Sequence, residues 1–152
     1  MRRRLWLFIT ATLLTGAAMI ATLISWTPQQ ASAHQTKEVG GGRYRVIVGM
    51  VREPSFTNER NGLDLIVRTA DNQPGEGLER SVNAEIIAPD GATRRRFQIR
   101  PQRGRPGYYT DDVLLARPGV YRIPVWGNIG DVSFDETFET HEVRPLSTLR
   151  FP

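Results

Sequence analysis

Tyr44-Arg45-Val46-Ile47-Val48-Gly49-Met50-Val51 places Tyr44, Val46, Val48 and Met50 on one face of an extended chain. That period of two predicts a strand, and it returns six times: Leu63 to Arg68, Val82 to Ala88, Thr93 to Arg100, Tyr108 to Leu115, Val120 to Trp126 and Val132 to Val143. Turn-forming residues separate the segments. Pro54 and Asn61-Gly62 mark a polar loop from Glu53 to Gly62, Asp71 to Gly77 forms the next, and Pro89-Asp90-Gly91 and Arg117-Pro118-Gly119 mark tight turns. No 3.6-residue periodicity follows residue 33. About seven short strands so spaced predict an all-β fold, an antiparallel immunoglobulin-like β-sandwich over residues 44–144. The expected core holds Val46, Val48, Leu65, Val67, Phe97, Ile99, Val113, Tyr121, Val125, Phe134 and Phe138. Pro124 cannot donate to a ladder, which suggests an edge position or a bulge, and residues 145–152 read as a tail.

Ahead of the strands stands an export pattern. Arg2, Arg3 and Arg4 precede an uncharged, mostly apolar run from Leu5 to Trp26, followed by Pro28 and Ala31-Ser32-Ala33. A positive start, an apolar run and an A-x-A site in that order predict a signal peptide over residues 1–33. The run of 22 residues is also long enough to span a bilayer as an uncleaved anchor. Both readings place the rest of the chain outside the cytoplasm, periplasmic or secreted, and only retention of the segment ties it to the membrane. Cleavage after Ala33 makes His34 the first residue. Gly40-Gly41-Gly42 then gives residues 34–43 the reading of a flexible arm.

Charge and cysteine content narrow the function. The formal charge of +4 falls to +1 once residues 1–33 are removed, because three arginines and no acids leave with them. A nucleic-acid partner is therefore not expected. The absence of cysteine excludes disulfides, thiolate zinc sites, cysteine-ligated iron–sulfur clusters and blue-copper centres.

The segment Gly107-Tyr108-Tyr109, followed by an apolar strand and Pro118-Gly119-Val120-Tyr121, resembles the G-x-Y … P-G-x-Y strand pair of YtkA-like exported immunoglobulin-like domains. Glu53-Pro54 with Asn61-Gly62-Leu63 looks like the pattern of a small exported bacterial family in that group, as does Gly127-Asn128-Ile129-Gly130 leading to Asp135-Glu136-Thr137-Phe138. The resemblance spans about residues 43–140 and rests on turn and core positions. It implies the sandwich fold, and because the wider group contains copper-handling proteins it points to copper as a ligand.

Only two histidines are present, His34 and His141. A free amine and imidazole on His34 with a second imidazole from His141 give three nitrogen donors suited to Cu(II), an arrangement similar to that of periplasmic copper carriers. Ser133, Asp135, Thr137, Glu139 and His141 share one face of the last strand opposite Phe134 and Phe138, so Asp135 and Glu139 are candidate ligands or acceptors. Glu139-Thr140-His141 approximates the Asp-x-His motif of such carriers. The same residues also read as an incidental histidine after a cleavage site and a solvated one on a strand.

Arg94, Arg95, Arg96, Arg100, Arg103 and Arg105 concentrate positive charge, and Asp131, Asp135, Glu136, Glu139 and Glu142 concentrate negative charge near the last strand. Of these, Arg94, Arg96, Arg100, Arg103 and Arg105 are the candidate contacts for another exported or membrane protein. Such charges also guard strand edges against aggregation. Catalysis has no comparable support. No serine sits in a G-x-S-x-G setting, and Asp111 and Asp112, being adjacent on a strand, point to opposite faces. The residues thus describe an exported, non-enzymatic binding module with copper as its concrete ligand, or else a metal-free interaction domain at the membrane surface. Intact-mass measurement of protein recovered from the cell envelope should give a chain that begins at His34; a membrane-bound chain retaining residues 1–33 would establish the anchor instead.

Overall fold

The computed structural model describes residues 34–152, and the expected signal or anchor segment lies outside the described residues. Nine strands form in order: β1 His34–Val39, β2 Tyr44–Met50, β3 Arg60–Thr69, β4 Val82–Ile87, β5 Arg94–Arg96, β6 Arg100–Pro101, β7 Tyr108–Leu114, β8 Arg122–Ile129 and β9 Val132–Glu139. Short 3₁₀ turns cover Leu78–Arg80 and Leu146–Leu149. Two antiparallel sheets result, ordered β1-β2-β3-β7-β6 and β5-β4-β8-β9. Strands β2, β3, β7 and β6 take the places of A, B, E and D in an immunoglobulin-like sandwich, and β4, β8 and β9 those of C, F and G, with β5 added beside β4. Strand β1 is an extra edge strand outside β2. All eleven residues expected in the core are buried between the sheets.

Tyr121 fixes the corner into β8. Its hydroxyl donates to the Arg117 carbonyl at 2.9 Å and accepts from the Arg117 N–H at 3.2 Å, while its ring is buried. This is the tyrosine corner of immunoglobulin-like sandwiches, built on the Pro118-Gly119 turn. A second buried tyrosine, Tyr109 of β7, ties the loop after β3 to the core through the Gly75 carbonyl at 2.8 Å and the Leu78 N–H at 3.1 Å.

Several sequence expectations need correction. Residues 34–39 are not a flexible arm: β1 pairs with β2 from His34 opposite Gly49 to Val39 opposite Tyr44. The three glycines are the turn of that hairpin, at φ of 61°, 68° and 85°, a region where a Cβ is penalised. Asn61-Gly62 is not a turn either. Both residues lie in β3, where the Asn61 side chain bonds the Arg52 N–H and carbonyl at 2.9 Å each and Ser55 Oγ at 3.0 Å, pinning the preceding loop. Gly62 is required there because a Cβ would come within 2.9 Å of the Asp111 carbonyl.

The expected strand Thr93 to Arg100 is two strands in opposite sheets. Buried Phe97 and Ile99 carry the chain between them at the open side of the sandwich. Pro124 is not on an edge, since β8 runs between β4 and β9. Instead the β4–β8 ladder opens beside it, passing from Ala84–Val125 to Ile87–Arg122, as a residue with no N–H demands. The tail begins with a bridge from Arg144 to Phe56 before its 3₁₀ turn. No helix among the described residues is long and apolar enough to cross a membrane.

Removing the hydroxyl in Tyr121→Phe should cost about 1–3 kcal/mol in urea denaturation, because the Arg117 backbone loses its buried partner. Phe138→Ala should cost about 3–5 kcal/mol, the value for a fully enclosed ring. A Tyr121→Phe variant as stable as the parent would show that the corner contributes nothing to the sandwich.

Candidate functional site

Strand β1 carries His34 at the edge of the first sheet, and its alternation sorts the neighbours. Gln35 and Lys37 turn towards β9: Gln35 Oε1 accepts from the Glu139 N–H at 3.0 Å, and Lys37 Nζ meets Glu136 Oε2 at 2.9 Å and stands 5.4 Å from the Phe138 ring centroid. His34 therefore faces the outside of the first sheet. The register sets His34, Gly49, Asp64, Thr110 and Arg100 in one row across four inter-strand steps. Gly49 has no side chain, so the imidazole reaches across it, and Nε2 lies 3.1 Å from Asp64 Oδ2. The other Asp64 oxygen accepts from Gln102 Nε2 at 3.0 Å. Asp64 is thus buried on an outward face, covered by the two side chains it binds.

The loop after β2 brings a third acid. Both carboxylate oxygens of Glu53 are buried and without a hydrogen-bond partner. Burial pushes this carboxyl above its ordinary pKa, and the charges of His141 and then His34 pull it back. The Ser55 N–H leans the same way without reaching hydrogen-bond geometry. The β1–β2 register sets His34 opposite Gly49, at the end of β2 from which the Glu53 loop leaves, and the bond from the Glu139 N–H to Gln35 brings the end of β9 to the same pole of the sandwich.

The expected ligands divide. His34 and His141 share the neighbourhood of Glu53. Glu139 approaches through its backbone bond to Gln35, and its side chain is exposed. Asp135 lies opposite Trp126, four residues down β9 and about 13 Å from Glu139 along the strand, too far to join them. Glu53 was missed by sequence reading; Glu53-Pro54 registered as a family-like pair, and nothing in its composition marked a buried carboxylate. Asp64 was missed because a lone acid inside a strand pattern reads as solvated.

The arginines divide as well. Arg100, Arg103 and Arg105 line one open groove of about 660 Å³ with Asp64, Gln102 and Asp112. Arg100 also binds Asp111 Oδ1 at 2.8 Å, and Arg95 binds Asp111 Oδ2 at 3.0 Å. Arg105 binds Gln102 Oε1 at 2.8 Å and stacks 3.8 Å from the Tyr108 ring centroid. Arg94 and Arg96 belong to β5 in the other sheet. Arg94 edges an apolar cleft of about 210 Å³ near Ile86, Val113 and Tyr121, and Arg96 bonds Asn83 and covers Trp126. Asp111 is buried and Asp112 exposed, on opposite faces as the strand period requires.

The groups near the His34 pole are two imidazoles, the Glu53 carboxylate with its unpartnered oxygens, and Asp64, which holds one His34 ring nitrogen at 3.1 Å. Among the described residues no three His, Cys, Asp or Glu side chains gather closely enough to hold a metal ion between them.

No family model and no curated protein matches the chain. Among solved structures, a DUF4426 family protein from Pseudomonas aeruginosa PAO1 is similar over 74% of this chain and 96% of its own, at 12% identity and a TM-score of 0.53. A DUF4785 family protein from Legionella pneumophila is similar over 68% of this chain and 29% of its own, at 8% identity and a TM-score of 0.45. The first likeness is one of fold alone. Neither name is that of a YtkA-like or copper-handling family.

Asp64→Ala should destabilise the protein by about 1–3 kcal/mol in urea denaturation, since it strands the Gln102 amide and releases the His34 ring. In the same variant the His34 ring resonances should move to solvated positions while those of His141 stay. An unchanged His34 spectrum would contradict the across-glycine bond.

Proposed function

We propose that the chain is an exported, non-enzymatic binding module, YtkA-like in kind, that takes Cu(II) at the His34 pole once cleavage after Ala33 frees the amine. The observation that carries the reading is the tie between β1 and the end of β9, where Gln35 Oε1 accepts from the Glu139 N–H at 3.0 Å, so that His34 and His141 each lie within two residues of one contact. His34 would hold the ion through Nδ1 and its amine, which close a chelate ring within one residue. Asp64 would fix the ring through Nε2, and His141, exposed beyond the end of β9, would supply the further imidazole. Bound Cu(II) would serve as cargo for transfer to another extracytoplasmic acceptor.

The groove lined by Arg100, Arg103 and Arg105 sits directly across Asp64 from His34 and offers an acidic surface on an exported or membrane partner a place to dock. Both His34 nitrogens must shed protons to bind, so affinity should fall on acidification. In calorimetric titration, protein beginning at His34 should bind Cu(II) at least about tenfold more tightly than protein with one extra residue before it, a difference of about 1.4 kcal/mol. His141→Ala should weaken binding and leave the fold intact. Equal affinity for the two N-terminal forms would remove the chelate and leave the metal-free interaction domain as the function.

A further inference from the structure

The only buried side-chain oxygens or nitrogens without a hydrogen-bond partner among the described residues are the two carboxylate oxygens of Glu53. Native folds satisfy nearly all such groups, and an ionised carboxylate is the costliest to leave alone. Among the described residues, His141 and His34 are the cationic groups that act on it. Glu53 follows β2 by three residues, and His34 opens β1 opposite Gly49, so the start of β1 and the Glu53 loop occupy the same end of the hairpin. In a chain continuing through Ala33, the nitrogen of His34 is a neutral peptide nitrogen. Cleavage changes that charge. Water adds across the Ala33–His34 bond, the acyl carbon leaves as the Ala33 carboxylate, and the nitrogen stays on His34 as an α-amine that is protonated at neutral pH.

We propose that this new α-ammonium of His34 is the missing partner of Glu53, so that processing locks β1 onto the sandwich and turns an unsatisfied acid into a buried ion pair. Two features point to it: a carboxylate enclosed with no hydrogen-bond partner, and a register that sets His34, the residue after the A-x-A site, opposite Gly49 at the end of β2 from which the Glu53 loop leaves. The pairing explains why an acid is kept in an enclosed loop next to the start of β1. It also makes Glu53 the gatekeeper of the proposed metal site, because the amine that pairs with it is the amine a copper ion would claim. The inference rests on cleavage after Ala33 and not on copper.

The test is done in chelator-containing buffer on residues 34–152, a stretch with its own hydrophobic core, released from a removable fusion so that His34 is first. A matched form carries Gly-Ala before His34, and a third has its α-amine acetylated. The His34-first form should melt at least about 4 °C above both others. Glu53→Gln should lower Tm in the His34-first form and leave Tm unchanged or raise it in the extended form, since there it removes an unpartnered charge. Should Glu53→Gln fail to fold, the parent decides the matter: its α-amine should acylate at least about tenfold more slowly in the native state than in urea. Equal Tm values for the three forms, or equal acylation rates, would overturn the pairing. A native protein that begins elsewhere than His34 would overturn the processing premise instead.

Discussion

A polar edge strand has to be held by something other than burial, and the way β1 is held governs the end of the sandwich that carries His34, Glu53 and Asp64. Its residues His34 to Glu38 offer almost no apolar surface, so its position depends on the β2 ladder on one side and on Gln35 and Lys37 reaching β9 on the other. Each side-chain contact is worth little by itself at a surface. Together with the ladder they hold the register that puts His34 opposite Gly49. That register is what lets an imidazole cross a glycine and meet Asp64, and what sets the start of β1 at the same end of the hairpin as the Glu53 loop.

The charges that crowd the sequence fall into two kinds once the register is known. Arg95 and Arg100 neutralise buried Asp111, which also accepts from the Gln98 N–H at 3.0 Å, and so they hold the short crossing from β5 to β6 that closes one side of the sandwich. Lys37 and Glu136 close the opposite side. Charge on these strands is therefore part of the architecture, and it blunts the sheet edges as well. Arg103 and Arg105, by contrast, stand over the groove that ends at Asp64, where a partner's acids could meet them.

The sandwich and its core were legible because period-two burial writes itself directly into residue type: every expected core position, from Val46 to Phe138, is enclosed. The misreadings share a cause. His34 to Val39 lacks apolar alternation because its inward positions Gln35 and Lys37 bond β9 instead of entering the core. Asn61-Gly62 has turn composition, yet Asn61 acts as a buried clasp and Gly62 yields space to a neighbouring carbonyl. Thr93 to Arg100 alternates at Phe97 and Ile99 while the chain changes sheets between β5 and β6. The two histidines were visible as chemistry, whereas the extra strand β1, which lies outside the immunoglobulin-like order and reaches the end of β9 through Gln35, was not. Glu53 and Asp64 were not legible, since only three-dimensional packing distinguishes an enclosed acid from a solvated one.

The central claim is that the start of β1 presents nitrogen donors as a preformed binding end. Its most direct test is the electron paramagnetic resonance spectrum of the His34-first protein loaded with one equivalent of Cu(II). The account expects nitrogen hyperfine structure from at least three donors, with one lost in His141→Ala and the amine contribution lost when the terminus is acetylated. A spectrum of oxygen-ligated copper, unchanged by either alteration, would contradict it.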